Sequence, residues 1–212
     1  MRVLLYGITG FTGGNLAREL VARGHEVIGV ARRIGTAPIP DQITEVTGSV
    51  FDADGVATLS DGVDAIVVAV SPRSDDGDLA SAVPGLLAAA DAAGARLAVV
   101  GGASSLRREE GGPRLIDADF PEAWRDDALA LIAVLDALRA SGTEVDWFFL
   151  SPAEHYGAYA PGERRDTYRT GGEVLVVDDE GHSHIGGEDF AAALVDELEH
   201  PVHHRMRFAV GY

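Results

Sequence analysis

The feature that most limits what this chain can become is the run Gly7-Ile8-Thr9-Gly10-Phe11-Thr12-Gly13, placed directly after the short apolar segment Val3-Leu4-Leu5-Tyr6. An apolar run of that length, stopped by glycine, reads as a buried first strand, and residues 12–22 then follow helical spacing. Glycines at every third position allow a tight turn between strand and helix and let the backbone come close to a ligand. The start of the helix presents unpaired N–H groups to negative oxygens. With a strand before it, an amphipathic helix after it and a second apolar segment at 26–30, the turn has the context of a dinucleotide-binding fingerprint. A purely structural glycine turn, or a different ligand, is the alternative. Gly14 reads as a helix-packing residue.

The first 150 residues alternate short Val/Ile/Leu/Ala runs with longer helical patterns, the signature of βαβ units around a parallel sheet. The spacing predicts strands near 2–6, 26–30, 43–47, 64–69, 96–100 and 145–150, with helices at 12–22, 53–60, 77–93 and 125–140. Right-handed crossovers put the ligand-binding loops at the C-terminal edge of the strands. After residue 150 the pattern breaks: Pro152, Gly157, Pro161, Gly162, Gly171 and Gly172 punctuate an irregular excursion over 151–172. Short strands at 173–177 and 183–185, a helix at 188–199 and a last strand at 205–210 complete the expected order. The fold class is therefore α/β, a Rossmann-type doubly wound sheet. Residues 1–212 read as one domain in which 151–187 supply most of a substrate-side cap.

The end of the second strand decides which dinucleotide fits. An acidic residue there would accept hydrogen bonds from a ribose diol and favour NAD, whereas arginine meets a 2′-phosphate. This chain has Ala31-Arg32-Arg33, which tilts the expectation from NAD(H) toward NADP(H). Both arginines are also compatible with an exposed surface. Asp52, after the third strand, is either an adenine-side contact or the cap of the helix beginning near Ala53.

Composition narrows the partners. Seventeen basic against 34 acidic side chains give a formal charge of −17, which opposes nucleic acid and anionic lipid. Local backbone amides and single arginines still admit an anionic cofactor. The absence of cysteine removes disulfides, thiolate metal sites and cysteine nucleophiles. No stretch approaches a membrane span, and the opening residues lack the length of a signal sequence, so the expectation is a cytoplasmic protein acting on a small molecule. Monomer and homodimer both remain open.

Taken with the glycine turn and the paired arginines, five further segments make the chain resemble the atypical short-chain dehydrogenase/reductases. They are Val99-Val100-Gly101-Gly102-Ala103-Ser104-Ser105-Leu106, Asp119-Phe120-Pro121, Asp146-Trp147-Phe148-Phe149-Leu150-Ser151-Pro152-Ala153, Tyr168-Arg169-Thr170-Gly171-Gly172 and the closing Arg207-Phe208-Ala209-Val210-Gly211-Tyr212. The resemblance is to the NmrA-like and biliverdin reductase B-like group, and most closely to bacterial NADH-flavin reductase-like proteins. It implies NAD(P) binding at the glycine turn (Gly7, Thr9, Gly10, Phe11, Thr12 and Gly13), at Arg32 with Arg33 beside it, and at Ala69-Val70-Ser71. It also implies contacts near Gly101 and Gly102, with Ser151-Pro152-Ala153 beside the nicotinamide end. Ser49-Val50 belongs to this set, although Ser49 stands where many relatives carry aspartate.

The Tyr-x-x-x-Lys pair of ordinary short-chain dehydrogenases is missing: Trp124 and Ala128 stand at its two places. Hydride transfer from nicotinamide to a flavin needs a protein acid less than carbonyl reduction does, so a flavin as substrate fits the loss. Ser104, Trp124, His155 and Tyr156 are the candidate catalytic residues: Ser104 to orient, Trp124 as an aromatic wall, His155 to donate and Tyr156 to stack or donate. Each has a structural alternative, in capping, packing or loop order. Arg164, Arg165 and Arg169 either meet an anionic substrate tail or pair with local carboxylates. His182 and His184 would share a strand face near Glu180, but no further ligands complete a metal site. A non-catalytic NAD(P) sensor is the main alternative to a reductase, since the glycine turn serves both.

Overall fold

The computed structural model describes all 212 residues. The chain runs β1 (Arg2–Tyr6), α1 (Phe11–Ala22), β2 (Glu26–Ala31), β3 (Thr44–Thr47), α2 (Ala53–Leu59), β4 (Ala65–Val68), a small hairpin of β5 (Arg73–Ser74) and β6 (Gly77–Asp78), then α3 (Leu79–Ala93) and β7 (Arg96–Val100). Two single 3-10 turns, Leu115–Asp117 and Glu122–Trp124, lead into α4 (Arg125–Ala140), followed by β8 (Trp147–Ser151), β9 (Arg169–Gly171), α5 (Gly187–Glu199) and β10 (Met206–Gly211).

Eight strands form one sheet in the order β3-β2-β1-β4-β7-β8-β10-β9, parallel except for β9, which runs antiparallel to β10 at the edge. This is the Rossmann-type α/β fold. The sheet is doubly covered because its strands are apolar on both faces. In β1, Val3 and Leu5 turn toward α1 and α5, while Leu4 and Tyr6 turn toward α2, α3 and α4. Helix α1 contributes Leu16, Ala17 and Leu20 to the first layer, and α5 adds Phe190, Leu194 and Val195. On the other face Val56 of α2, Val83 and Leu86 of α3, and Val134, Leu135 and Leu138 of α4 close the second layer. Each fully buried aliphatic side chain there contributes about 1.5–3 kcal/mol.

Three expectations need correction. Residues 173–177 and 183–185 are not strands: Val174 and His184 make only isolated bridges, to Arg107 and His155. Their partners are loop residues with no ladder to extend, so pairing stops after one residue. The antiparallel strand of the main sheet lies instead at 169–171, inside the predicted irregular excursion, because β10 offers it a free edge. Helix α3 begins at Leu79, not at residue 77, since Gly77 and Asp78 pair back on Arg73 and Ser74.

The packing of α1 on α5 encloses a charge network. Arg23 donates to Glu19 at 2.8 Å, Asp196 at 2.6 Å and Glu199 at 2.7 Å. Tyr168 donates to Asp196, and His25 lies 2.8 Å from Glu199. Burial alone would raise the Asp196 and Glu199 carboxyls. Hydrogen bonds from Tyr168 and Arg23 to Asp196, and from Arg23 and His25 to Glu199, outweigh it and hold both below the usual carboxylate range. Groups depressed in this way stabilise the fold above their unfolded pKa, and the contribution is lost as pH falls through their folded values. Replacing Arg23 with Met should therefore cost about 2 kcal/mol at neutral pH. The deficit, measured by urea unfolding, should shrink as the pH drops below about 4; an equal deficit at both pH values would show that the network is not electrostatic.

Candidate active site at the strand ends

Strand order reverses at β1, whose neighbours are β2 on one side and β4 on the other. The loops after β1 and β4 therefore diverge and leave a crevice at the carboxyl ends of the strands. Gly7 lies at φ +88°, and a Cβ there would meet the Ala69 carbonyl oxygen at 2.2 Å. A Cβ on Gly13 would lie 2.0 Å from the Gly7 carbonyl oxygen. Gly10 is less confined by the protein itself, its nearest neighbour being the Gly7 carbonyl at 3.3 Å. Helix α1 begins at Phe11 with no side-chain cap, and the amides of Phe11, Thr12 and Gly13 have no partner within the protein. That leaves a row of donors suited to a pyrophosphate at the helix start.

The resulting cleft, of about 180 Å³, is bordered by Thr9 and Gly10 of the turn, Arg32 after β2, Ser49 and Val50 after β3, and Ala69, Val70 and Ser71 after β4. Arg32 is largely exposed and only loosely paired, 3.7 Å from Asp76. Arg33 is exposed and does not line the cleft. Asp52 caps α2 by accepting from the Gly55 amide at 3.1 Å, and the Ser49 hydroxyl accepts from the Phe51 amide at 3.3 Å. Tyr6 also borders the cleft, and its buried hydroxyl has no hydrogen-bond partner. Burial, then the nearby Asp52 carboxylate, pushes the Tyr6 phenol up to about 12, so it stays protonated. Unpaired helix amides, side-chain-free turn positions and an unsatisfied hydroxyl together fit a nicotinamide dinucleotide.

Beyond Ser71 the surface opens into a larger cavity of about 710 Å³, which Pro72 borders from the β4 loop. Gly101, Gly102 and Ser104 after β7 and Pro152 and Ala153 after β8 form its inner side. Phe120 lines it from the link between the 3-10 turns, Trp124 from the second turn, Leu131 from α4 and Tyr159 from the segment after β8. Trp124 and Tyr159 stack with ring centroids 5.8 Å apart and 27° between planes, both exposed at the rim. Gly101 admits the Phe149 ring, which a Cβ would meet at 2.0 Å.

All four candidate catalytic residues border this cavity, in different states. Ser104 is buried and its hydroxyl makes a long bond, 3.5 Å, to the Ala128 carbonyl of α4. His155 is exposed, its backbone pairing with Ser183 and Ile185. The Tyr156 hydroxyl lies 2.8 Å from the Thr12 hydroxyl, and its ring packs 4.5 Å from that of Phe190 and edge-on to Phe11. Burial outweighs the bond to Thr12 and raises the Tyr156 phenol well above its ordinary range. Tyr156 thus ties the segment after β8 to the start of α1. Ser151 is fully buried under the cavity floor, where its hydroxyl, with that of Ser105, accepts from Arg207 at 3.4 and 3.2 Å.

Arg164, Arg165 and Arg169 do not reach the cavity. Arg164 pairs with Glu19 and Asp166, Arg165 lies over the Tyr212 ring at 4.2 Å, and Arg169 donates to the Val177 and Tyr212 carbonyls. His182 and His184 stand 3.8 and 3.6 Å from Asp178, and no group of three or more such side chains is arranged to hold a metal. Sequence reasoning missed Tyr6, Arg108 and Arg207. The cue for Arg207 was present, an arginine inside the apolar run 206–211 of a strand.

A family model described as NAD(P)H-binding matches residues 7–201, and the chain belongs to that family. Its cofactor is accordingly a nicotinamide dinucleotide, consistent with the resemblance to the atypical short-chain dehydrogenase/reductases carried by its sequence motifs. It is 31% identical to the uncharacterised protein YwnB of Bacillus subtilis over 99% of this chain and 98% of that one. A solved structure from Bacteroides thetaiotaomicron, named as a candidate epimerase, superposes with a TM-score of 0.87 at 36% identity, covering 100% of this chain and 96% of that one. Another, from Streptococcus pneumoniae and named as a candidate NADH-flavin reductase, has a TM-score of 0.85 at 29% identity, covering 100% and 99%. No helix is long and apolar enough to cross a membrane.

The glycines make separable demands. Gly14 was expected to pack closely, yet a Cβ there would find only the Arg18 guanidinium at 3.6 Å and the Ile8 carbonyl at 3.8 Å. Gly14→Ala should raise stability by about 0.5–1 kcal/mol through helix propensity and leave NADPH binding intact. Gly13→Ala should lower stability by about 1–3 kcal/mol and weaken NADPH binding. Denaturant unfolding and nicotinamide fluorescence titration of the two variants check both outcomes.

Proposed function

We propose that the protein is an NAD(P)H-dependent oxidoreductase that reduces a flavin or similar conjugated acceptor and prefers NADPH to NADH. The supporting observation is the junction at Ser71-Pro72, where the narrow cleft beside the glycine turn meets a wide cavity with aromatic walls. A dinucleotide held at Gly10 and Arg32 would reach across that junction with its reactive ring toward Gly101 and Pro152. When bound and reduced, the nicotinamide supplies a hydride.

The chain's own contribution is placement. Backbone amides at the start of α1 would fix the pyrophosphate, and the rigid ends of β7 and β8 would set the depth of an acceptor ring against the cofactor. The apolar walls would exclude water from the transfer. Two of the proton-bearing groups at the cavity are engaged elsewhere, Tyr156 with Thr12 and Tyr159 through a 3.3 Å bond to the Glu154 carbonyl, while His155 borders it as an exposed side chain. Trp124 and Ala128, where a Tyr/Lys pair would stand, supply no proton. An acceptor that needs no dedicated protein acid suits this site, and the name of the Streptococcus pneumoniae relative points the same way.

Preference for NADPH follows from what surrounds the end of β2. No carboxylate lines the cleft to receive a ribose diol, and Arg32 borders it with most of its side chain in solvent. Arg32→Ala should weaken NADPH binding by about tenfold while changing NADH binding little. Binding is followed by fluorescence, and turnover by loss of absorbance at 340 nm with riboflavin against a protein-free control. Equal loss for both nucleotides would remove the specificity role of Arg32. Tight binding without turnover by any flavin would favour a cofactor sensor over a reductase.

A further inference from the structure

We infer that the 710 Å³ cavity selects an uncharged, planar conjugated acceptor and discriminates against one that carries a phosphate. The inference rests on the reductase reading and names its substrate class. Size and shape come from the walls: Phe120, Leu131 and the stacked Trp124–Tyr159 pair offer flat apolar surface to a multi-ring molecule.

Charge supplies the discrimination. The ionisable carboxylates bordering the cavity are Asp119, Asp127 and Glu154, and the one guanidinium is that of Arg108. Arg108 is already bonded to Glu154 at 2.8 Å, which cancels one pair and leaves Asp119 and Asp127 in excess. Arg73 approaches Asp127 only to 3.8 Å because it is held by Asp126 at 2.9 Å. The N-terminus of α4, which would otherwise attract an anion, carries the carboxylates of Asp126 and Asp127 in its first turn. Arg125 there donates to the Ile116 carbonyl, and Arg164, Arg165 and Arg169 are bonded elsewhere in the cap. No cation is left to receive a phosphate tail. The cofactor's own phosphates would have donors of their own, the amides of Phe11 to Gly13, which have no partner within the protein, and Arg32 at the narrow cleft, whose lining holds no carboxylate.

The test compares riboflavin with FMN, which share one ring system and differ in the phosphate. With saturating NADPH at low salt, kcat/KM for riboflavin should exceed that for FMN by about tenfold, and the gap should narrow in about 0.5 M salt as the charges are screened. Asp119→Asn and Asp127→Asn, both at exposed positions, should lower the riboflavin-to-FMN ratio of kcat/KM at low salt; an unchanged ratio in both variants would overturn the role of these carboxylates. FMN turned over as well as riboflavin at low salt would overturn the inference while leaving the reductase reading intact. If neither flavin is turned over, the reductase reading fails and binding decides the inference alone, by quenching of flavin fluorescence on protein saturated with NADP+. Tighter riboflavin than FMN sustains the charge selection; equal affinity, tighter FMN or no binding of either overturns it.

Discussion

Helix α1 starts one tight turn after β1, and it can do so only because Gly13 rests directly on the Gly7 carbonyl while Gly7 itself lies against Ala69. Those approaches leave no space for a Cβ on either residue. The contact fixes where α1 begins, and so where its unpaired amides point. It also fixes the position from which Leu16 and Leu20 reach the first core layer and the side of α1 on which α5 packs. Ile8, inside the turn, is fully buried in the same layer. The binding turn and the core are thus one piece of packing, and the ligand cleft is as rigid as the sheet beneath it.

Charge is distributed with a similar economy. In a strongly acidic chain most arginines are spent on internal bonds: Arg23 at the α1–α5 seam, Arg96 against Glu197, and Arg207 buried beneath the cavity floor. Glu173 illustrates the consequence. Burial would raise its carboxyl, but bonds from Arg207 and Arg139 hold it below the usual range, so it remains a charged clasp between β10, α4 and the segment after β9. With the arginines committed in this way, a cofactor bound as proposed would rely on backbone amides and Arg32, and the large cavity keeps an excess of carboxylates. Buried Arg207 also donates to the Ser105 and Ser151 hydroxyls, which adjoin the cavity-lining Ser104 and Pro152 in the chain.

The strands and helices of the first 150 residues were legible because each is a short apolar run or a helical stripe that local sequence decides. The tail was harder to read for a physical reason. Residues 173–177 have the β-branched content of a strand but meet a loop at Arg107, whereas 169–171, with little such content, meet the open edge of β10. Strand formation there depends on a partner 40 residues away in sequence. Tyr156 stood out as a catalytic aromatic from its neighbourhood, and its bond to Thr12 is a long-range contact that no local pattern encodes. Gly14 reads as a packing glycine in the sequence, yet in the fold a Cβ there would meet only ordinary contacts, because the next residue of a helix points about 100° away from Gly13.

What the sequence by itself determined is the cofactor turn, the parallel sheet and the absence of the usual acid–base pair, since spacing, periodicity and residue identity are all local. What only the tertiary structure decided is which side chains share the acceptor cavity and which cations are left to face it. Those outcomes depend on hydrogen bonds closed between segments far apart in the chain, such as Arg207 with Glu173 and Ser151, or Arg164 with Glu19. A side chain has a fixed number of donors and acceptors, and only the folded chain settles where they are used.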